Sequence, residues 1–372
     1  MSFCYFRAVS DADFIFMLNE QYDYPLPTEK IALHPVNPPD HCKLLWVSAQ
    51  EQSLIDRHFY DLPDILHSED LLIVNESKVE ARRVYILKKG SDYRFESVFI
   101  ADATVEFDEM KPGTYWQVLI RKSRKLKSGD LLYAELDANV QFTFYRDEHS
   151  NTFLKASQPL NEAIFMQIGQ MPIPPYFQRE AETSDRTDYQ NFFGQIPGSA
   201  AASTASLHFT ERLTKELIEK KISIERILLH ISYGTFAPLT EENFSTGELH
   251  AEYYEMPESL AQRLIKRDFH RVIAVGTTSM RVLESVARIS NGKYNRGLTG
   301  QTKLFLKPGD SIQVTDGLIT NFHMPASSLM LLVGAMLGEK LTMQAYHHAL
   351  AQHYRFLSYG DAMFIELPPR NF

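Results

Sequence analysis

The second half of the chain alternates between short apolar runs and amphipathic segments, and polar residues follow the apolar runs. Residues 224–231 and 271–276 are typical of strands, whereas residues 280–289 repeat apolar positions at the period of a helix. This alternation predicts an α/β layer with a mostly parallel sheet. Ligands bind open α/β sheets at the carboxyl ends of the strands. The polar residues therefore predict one site where several strand ends converge.

Five polar stretches carry this prediction, at residues 206–210, 229–236, 276–281, 317–325 and 354–361. His208, His230 and His323 lie in three of them, and His250 shares one face of a predicted strand with Glu252. An imidazole beside a carboxylate suits general acid–base chemistry. For each histidine the alternative is a structural role, as a cap, a packing residue or part of an exposed strand face.

The predicted strand-to-helix junction at residues 276–279 offers backbone amides and three hydroxyls to a ligand. It lacks the glycine spacing of a dinucleotide-binding fingerprint and the lysine of a P-loop. The alternative is a helix start capped by Thr278 or Ser279. Asp361 is a candidate for binding a ribose hydroxyl or orienting a base, with a simple turn as the alternative. Arg281 lies three residues before Glu284 on the predicted helix, so the alternative to a binding role for Arg281 is a surface ion pair between the two.

Residues 80–156 have a different pattern. Val140, Phe142 and Phe144 alternate with polar residues, and turn signals such as Pro112-Gly113 separate short runs. This is typical of a small antiparallel β-barrel. We therefore predict an α/β catalytic domain of residues 1–79 and 157–372, interrupted by an inserted barrel domain of residues 80–156.

Composition limits the function. The formal net charge of −9 argues against broad nonspecific binding of nucleic acid, although it leaves room for a local basic patch. One dense basic run lies in the predicted barrel and consists of Arg121, Lys122, Arg124, Lys125 and Lys127. Such a patch can dock a phosphate backbone, and the alternative is a solvated hairpin face.

The compartment and cofactors are predicted from what the sequence contains. The two cysteines, Cys4 and Cys42, have no metal-ligand spacing, so we expect no bound metal. Their scarcity fits a reducing, cytoplasmic setting. We expect neither a signal peptide nor a membrane span, because the longest apolar run, residues 329–337, is too short to cross a bilayer.

Together these motifs resemble the S-adenosylmethionine:tRNA ribosyltransferase-isomerase family of queuosine biosynthesis. The resemblance covers nearly the whole chain and is carried by the order and spacing of several short motifs. The matching stretches are residues 171–176, 207–210, 234–236, 250–254, 274–279, 320–323, 354–356 and 358–363.

The resemblance implies an α/β domain with an inserted barrel and a reaction in which S-adenosylmethionine donates its ribosyl unit. The acceptor is 7-aminomethyl-7-deazaguanine at the anticodon wobble position of tRNA, and the products are epoxyqueuosine, adenine and methionine. No cofactor beyond the co-substrate S-adenosylmethionine is implied, and we expect a monomer. By this resemblance the catalytic candidates are His208, His230, His250, Glu252 and His323. The substrate-binding candidates are Asn75, Lys78, Arg83, Thr210, Gly234, Thr235, Gly276, Thr277, Thr278, Ser279, Arg281, Thr320, Asn321, Tyr359 and Asp361, and the basic run is the candidate tRNA-binding surface.

The sequence departs from the family pattern at several motif positions. The family usually has arginine, serine and arginine where this chain has Pro39, Cys42 and Lys43. This chain also differs from the usual family motifs at Glu76, Ser77, Lys78, Ser203 and Ser206. Lysine does not replace a bidentate arginine. Two alternatives therefore stay open, a diverged paralogue with another acceptor and a non-catalytic RNA-binding module.

Overall fold

The computed structural model describes residues 21–91, 93–103 and 112–369. Cys4 lies outside the described residues. The strands, in chain order, are β1 (Lys43–Ser48), β2 (Ser53–His58), β3 (Leu71–Asn75), β4 (Ser77–Val79), β5 (Arg83–Lys88), β6 (Arg94–Asp102), β7 (Tyr115–Ile120), β8 (Leu131–Ala134), β9 (Gln141–Arg146), β10 (Thr152–Ala156), β11 (Gly169–Gln170), β12 (Ile196–Ser199), β13 (Ser223–Leu229), β14 (Glu248–Glu255), β15 (Val272–Val275), β16 (Thr299–Leu304), β17 (Gly317–Asn321) and β18 (Ala362–Glu366).

The α-helices are α1 (Leu62–Ile65), α2 (Glu162–Ile168), α3 (Asp185–Asp188), α4 (Glu211–Glu219), α5 (Glu241–Thr246), α6 (Glu258–Lys266), α7 (Gly276–Ser290) and α8 (Ser328–Ala351). Short 3-10 helices that matter for the site are Pro39–His41, Ser123–Lys125, Thr204–His208 and Tyr233–Phe236. Gly338 interrupts α8 with a φ of +73°. In the described part of the chain, no helix has the length and apolar character needed to cross a membrane.

The chain forms two compact units. The first contains the described residues of Met1–Glu76, Ser203–Leu229 and Ala237–Phe372, and the second contains those of Ser77–Ala202 and His230–Phe236. The assignment of residues 80–156 as an inserted domain stays a prediction.

The first unit is built on a mixed sheet with the strand order β16-β14-β13-β3-β15-β17-β18-β1-β2. Its centre, β13-β3-β15-β17, is parallel, as is the pairing of β18 with β1. The other pairings are antiparallel. The predicted α/β class is confirmed, and the parallel arrangement is concentrated in the centre. At the flank, β1 and β2 are joined by residues 49–52, a connection too short for parallel neighbours.

Strands β3, β15 and β17 are buried throughout, as expected for parallel strands with both faces covered. Helix α7 is also buried over most of its length. It begins at Gly276 after Val275 and has no side-chain cap, so capping by Thr278 or Ser279 is not observed. Arg281 and Glu284 are both buried with separate partners, so the alternative of a surface pair was wrong.

The second unit contains the predicted antiparallel barrel. Its strands follow the order β5-β6-β7-β10-β9-β8, and a β5–β8 pairing closes the sheet. The alternating pattern in β9 is confirmed, because Phe142 and Phe144 are buried inside while Gln141 is exposed. Phe99, Trp116 and other buried residues fill the same core. The strands thus leave no free edge within the closed sheet.

Candidate functional site

The polar residues after the central strands lie at one edge of the sheet in the first unit. Strand β3 ends at Asn75 and strand β17 ends at Asn321. Gly276 directly follows the end of strand β15. The strand register pairs Ile73 with Ala274 and Val275 with Ile319, so the three carboxyl ends are level. This is the edge at which α/β sheets bind ligands. Nδ2 of Asn75 donates to the Leu229 carbonyl over 2.9 Å, and Oδ1 of Asn75 accepts from the Leu229 backbone N–H over 3.0 Å.

Two more chain segments reach this edge because of how β18 and β1 pair. Ala362 of β18 pairs with Asn321 of the antiparallel strand β17 and with Leu44 of the parallel strand β1. The residues just before these strands, Asp361 and Cys42, are therefore placed beside the carboxyl end of β17. The pairing of β18 with β17 and with β1 thus places segments that are distant in the sequence at the same edge of the sheet.

Asp361 accepts backbone hydrogen bonds from Lys43 over 2.9 Å and from Arg355 over 2.7 Å. Burial raises the pKa of its carboxyl group, while these donors and the Arg355 and Lys43 charges act in the opposite direction. Both carboxylate oxygens therefore hold the chain in place. The contacts match the structural alternative for Asp361, and a role in binding ribose stays a prediction.

A group that we call the histidine cluster consists of the buried residues Cys42, His208 and Asn321 and the half-buried Thr204. Nδ1 of His208 lies 3.3 Å from Sγ of Cys42, and Nε2 lies 3.1 Å from Nδ2 of Asn321. The Thr204 hydroxyl donates to Oδ1 of Asn321 over 2.9 Å. Burial, aided by the charge of Arg355, lowers the pKa of His208 to about 3. The imidazole is thus neutral at physiological pH.

A small pocket of about 10 Å³, with space for about one water molecule, borders the histidine cluster. It is lined by Pro35, Val36, Pro39, Leu207, His208, Ser358, Tyr359 and Gly360. Small-molecule sites usually have volumes from about 300 Å³ upward, so this pocket by itself is too small to hold a substrate. The candidate Tyr359 and the family departure Pro39 both lie in its wall.

His323 lies two residues beyond Asn321 and is also buried. Its Nε2 is 3.0 Å from the Thr320 hydroxyl, whereas Nδ1 has no partner among the described residues. Its backbone N–H donates to the Tyr346 hydroxyl over 3.2 Å, and its carbonyl accepts from the Tyr24 hydroxyl. Burial lowers the pKa of His323 to about 3. The residue is therefore held by its backbone, while one ring nitrogen stays available.

His250, Glu252 and Arg281 form a second group, which we call the arginine cluster. Glu252 binds Nη1 of Arg281 with one oxygen, and its other oxygen lies 3.1 Å from Nε2 of His250. Arg281 also donates through Nε to the Leu304 carbonyl over 3.2 Å. Nη2 of Arg281 is buried and has no hydrogen-bond partner within the described part of the chain. The prediction that His250 and Glu252 share a strand face is confirmed by their position in β14.

The junction at the start of α7 packs closely against the loop before His208. Gly276 has a φ of +86°, and a Cβ built on it would lie 2.9 Å from Oγ of Ser203. Oγ of Ser203 is also 3.2 Å from Oγ1 of Thr278. Thr277 and Ser279 are buried beside these residues in the same helical turn. Thr210 follows the His208 stretch, caps α4 and donates to Asp40 over 2.7 Å.

The second unit holds the remaining substrate-binding candidates and His230. Nδ1 of His230 lies 2.8 Å from Oγ of Ser77, and Lys78 forms an ion pair of 2.6 Å with Glu162. Arg83 donates to the Ile173 carbonyl over 2.7 Å. Gly234 and Thr235 lie in the 3-10 helix Tyr233–Phe236.

The basic run lies on the barrel surface between β7 and β8, partly in the 3-10 helix Ser123–Lys125. All five of its basic residues are exposed. The Lys125 ammonium lies 3.9 Å from the centre of the Tyr93 ring, and Arg121 lies 3.8 Å from Glu96. The other charges are therefore open to a polyanion, although contact with tRNA stays a prediction.

A third group in the first unit has the composition of a metal site. His67, Asp70 and His270 bring ligand atoms within 4.8 Å of one another. However, Asp70 accepts from Nε and Nη2 of Arg271, from the backbone N–H of His67 and faces Nδ1 of His270 at 3.0 Å. A carboxylate offers about four lone-pair positions, so Asp70 is satisfied without an ion. The adjacent guanidinium also opposes a bound cation.

Some residues of the site had no signal in the sequence. Tyr24 and Tyr346 hold the backbone of His323 from positions distant in the chain. Thr204 lies in the small-residue loop before His208, where its hydroxyl was not distinguished from its neighbours. Only the pairing of distant strands and helices brings these groups together.

Known proteins are similar to this chain over nearly its full length. The sequence model of the queuosine biosynthesis protein family matches residues 19–365. The S-adenosylmethionine:tRNA ribosyltransferase-isomerase of Moorella thermoacetica is 39% identical over 351 residues, covering 93% of this chain and 99% of that protein. The protein of the same name from Heliobacterium modesticaldum is 38% identical over 355 residues, covering 92% of this chain and 98% of that protein.

A solved structure agrees with these relatives. The crystal structure of S-adenosylmethionine tRNA ribosyltransferase from Thermotoga maritima is 29% identical and superimposes with a TM-score of 0.50. It covers 93% of this chain, which in turn covers 99% of that chain. The resemblance predicted from the motifs is thereby confirmed, and the chain belongs to the queuosine biosynthesis protein family.

Proposed function

We propose that this protein transfers the ribosyl unit of S-adenosylmethionine to 7-aminomethyl-7-deazaguanine in the anticodon of tRNA and isomerises it, giving epoxyqueuosine, adenine and methionine. The observation that carries the proposal is the 37–39% identity, over nearly the whole chain, to proteins named for this transferase and isomerase activity. The family relation makes the protein an enzyme of that class.

The reaction needs a base that removes a proton beside the sulfonium and an acid that assists the departure of adenine. His323 is our first candidate for proton transfer, because its Nδ1 has no partner among the described residues and its imidazole is neutral. His250 with Glu252 is the second candidate, since a carboxylate beside an imidazole can stabilise its protonated form. His230 keeps its predicted role as a third candidate.

Substrate binding is assigned to the carboxyl edge of the sheet. The hydroxyls and backbone groups at the start of α7 support binding of the nucleoside. The exposed basic run supports docking of the tRNA backbone. No metal is assigned, because Asp70 already has donors at its lone pairs. A tRNA substrate also fits the predicted cytoplasmic location.

One observation favours a second candidate, a paralogue that uses S-adenosylmethionine with another acceptor. Pro39 lines the pocket and Cys42 contacts His208, so two departures from the family pattern lie at the proposed site. A change in pocket wall is a direct way to change which acceptor fits.

The test combines the purified protein, S-adenosylmethionine and tRNA carrying 7-aminomethyl-7-deazaguanine, with mass spectrometry of released adenine and of the digested tRNA. We expect adenine and epoxyqueuosine in equal amounts. Binding of S-adenosylmethionine without either product would support the paralogue. Binding of tRNA without binding of S-adenosylmethionine would support the RNA-binding module.

The same assay tests His323. General acid–base groups contribute about 10²–10⁴-fold to rate, so His323→Gln is expected to lose at least 100-fold in kcat. His149→Gln is the matched control, because His149 is an exposed histidine on the barrel surface. An equal decrease of kcat in both variants would contradict the assignment of His323 to proton transfer.

A further inference from the structure

We propose that His208 is a positioning residue that stays neutral with its proton on Nδ1, and that Asn321 imposes this state. The kinetic consequence rests on the proposed function. The state of the imidazole follows from contacts within the histidine cluster and is independent of any substrate.

The orientation of the Asn321 amide is settled by a backbone carbonyl. Nδ2 lies 3.1 Å from the oxygen of Leu357, which can only accept a hydrogen bond. A reversed amide would place two oxygens against each other. In the observed orientation Oδ1 accepts from Thr204, so both ends of the amide are satisfied.

This orientation determines which nitrogen of His208 carries the proton. The second hydrogen of the Asn321 amide points to Nε2 of His208 over 3.1 Å. Nε2 must therefore accept, and the proton of the neutral ring lies on Nδ1. A protonated ring would place one N–H group against another. The contact thus opposes protonation independently of burial.

Cys42 accepts the hydrogen bond that Nδ1–H of His208 donates. Its Sγ lies 3.3 Å from Nδ1 of His208 and is buried. Burial raises the pKa of the Cys42 thiol, and the charges of Asp361 and Asp40 add to this effect against Arg355. The thiol therefore stays protonated and serves as a weak acceptor. Cys42 and His208 do not form a thiolate–imidazolium pair.

Both ring nitrogens of His208 are thus occupied by protein groups. His208 joins the 3-10 helix Thr204–His208 to the end of β17 and forms part of the pocket wall. A base must have a free lone pair directed at its substrate. The geometry therefore assigns His208 to holding the pocket in place and leaves proton transfer to other groups.

Nuclear magnetic resonance tests the tautomer without any substrate. In protein labelled with ¹⁵N-histidine, His208 is identified by the signal that disappears in His208→Gln. We expect a pyrrole-type shift for Nδ1 and a pyridine-type shift for Nε2, both unchanged from pH 8 to pH 5. A proton on Nε2, or titration within this range, would overturn the inference.

Asn321→Asp tests the cause. A carboxylate at this position accepts instead of donating, so the proton is expected to move to Nε2 and the ring to titrate at a higher pH. An unchanged Nδ1–H form in a folded variant would refute control by Asn321. If this variant does not fold, the wild-type spectrum still decides the tautomer.

Kinetics test the positioning role. In His208→Gln, an amide group that cannot titrate replaces the imidazole, and its oxygen can accept near the position that Nε2 occupied. Losing one hydrogen bond of about 1 kcal/mol predicts a decrease in kcat/KM of about fivefold, with an unchanged shape of the pH profile. A loss above 100-fold together with loss of one limb of the profile would show that His208 transfers protons. If the ribosyltransferase assay is negative for wild-type protein, the proposed function fails while the spectra still test His208.

Discussion

Glu252 and Arg281 form an ion pair that is almost completely withdrawn from solvent. Their side chains are 1% and 6% exposed, and the pair joins β14 to α7 near the edge of the sheet. Glu252 also faces His250, so one carboxylate links a buried arginine to a more exposed histidine. Glu252 therefore joins two elements of the fold and also lies beside a candidate catalytic histidine.

Removing one partner of this pair is expected to be costly. Glu252→Gln leaves the guanidinium of Arg281 buried without a counter-charge, which lowers the free energy of unfolding by about 3–5 kcal/mol. Urea denaturation measures the change. Glu248→Gln is the control, because Glu248 pairs with Lys303 on the surface and its loss is expected to cost at most about 1 kcal/mol. Equal losses in both variants would contradict the prediction.

Stability is expected to fall as the pH is lowered from about 6.5 towards 3. His208 and His323 have folded pKa values of about 3, whereas an unfolded histidine titrates near 6.5. The unfolded chain therefore binds more protons in this range, and each histidine lowers stability at pH 4.5 by on the order of 2–3 kcal/mol. The raised pKa of Asp361 acts in the opposite direction.

Urea titrations at pH 7.0 and 4.5 measure this effect. His323→Gln cannot take up the proton, so its stability difference between the two pH values is expected to be smaller than that of the wild type. The exposed His149→Gln is the control and is expected to behave as wild type. Identical pH dependence in all three proteins would show that the buried histidines do not cause it.

Gly276→Ala is expected to disturb the start of α7 beyond the ordinary cost of its backbone conformation. The added Cβ would lie 2.9 Å from Oγ of Ser203, whereas Gly309, with a φ of +95°, has no atom within 4 Å of the corresponding position. Gly309→Ala therefore measures the conformational cost alone, about 1–2 kcal/mol. We expect a larger loss in thermal unfolding for Gly276→Ala, partly restored by Ser203→Ala. Equal losses would exclude the steric contribution.

The basic run is expected to contribute to tRNA affinity through charge. Arg124→Glu combined with Lys127→Glu should weaken binding and reduce the slope of log affinity against log salt by about 0.7–0.9 for each phosphate that the protein no longer neutralises. The control combines Lys215→Glu and Lys303→Glu, which are exposed in the first unit and change the net charge equally. Filter binding at several salt concentrations compares them. The same weakening in both variants would indicate a general charge effect.

The alternating patterns of the sequence were sufficient for the fold class. Phe142 and Phe144 indicated a barrel strand because successive side chains in a strand point to opposite faces. Thr210 is suited to the start of α4 by the same kind of local rule, because its side chain accepts the backbone N–H of Leu213. These are local properties, which a single sequence can reveal. Ile218 in α4 and Ile265 in α6 are apolar and yet exposed, since burial also depends on the neighbouring elements.

The sequence by itself determined the strand and helix periods, the barrel pattern and the family motifs, because each depends on residues close together in the chain. Only the tertiary structure decided that Cys42, Thr204 and Asn321 surround His208, because the pairing of β1 with β18 and of β18 with β17 brings distant segments to one edge. It also decided that Arg281 and Glu284 are buried. Burial and hydrogen-bond direction, which set the protonation of a histidine, arise only from contacts between such distant segments.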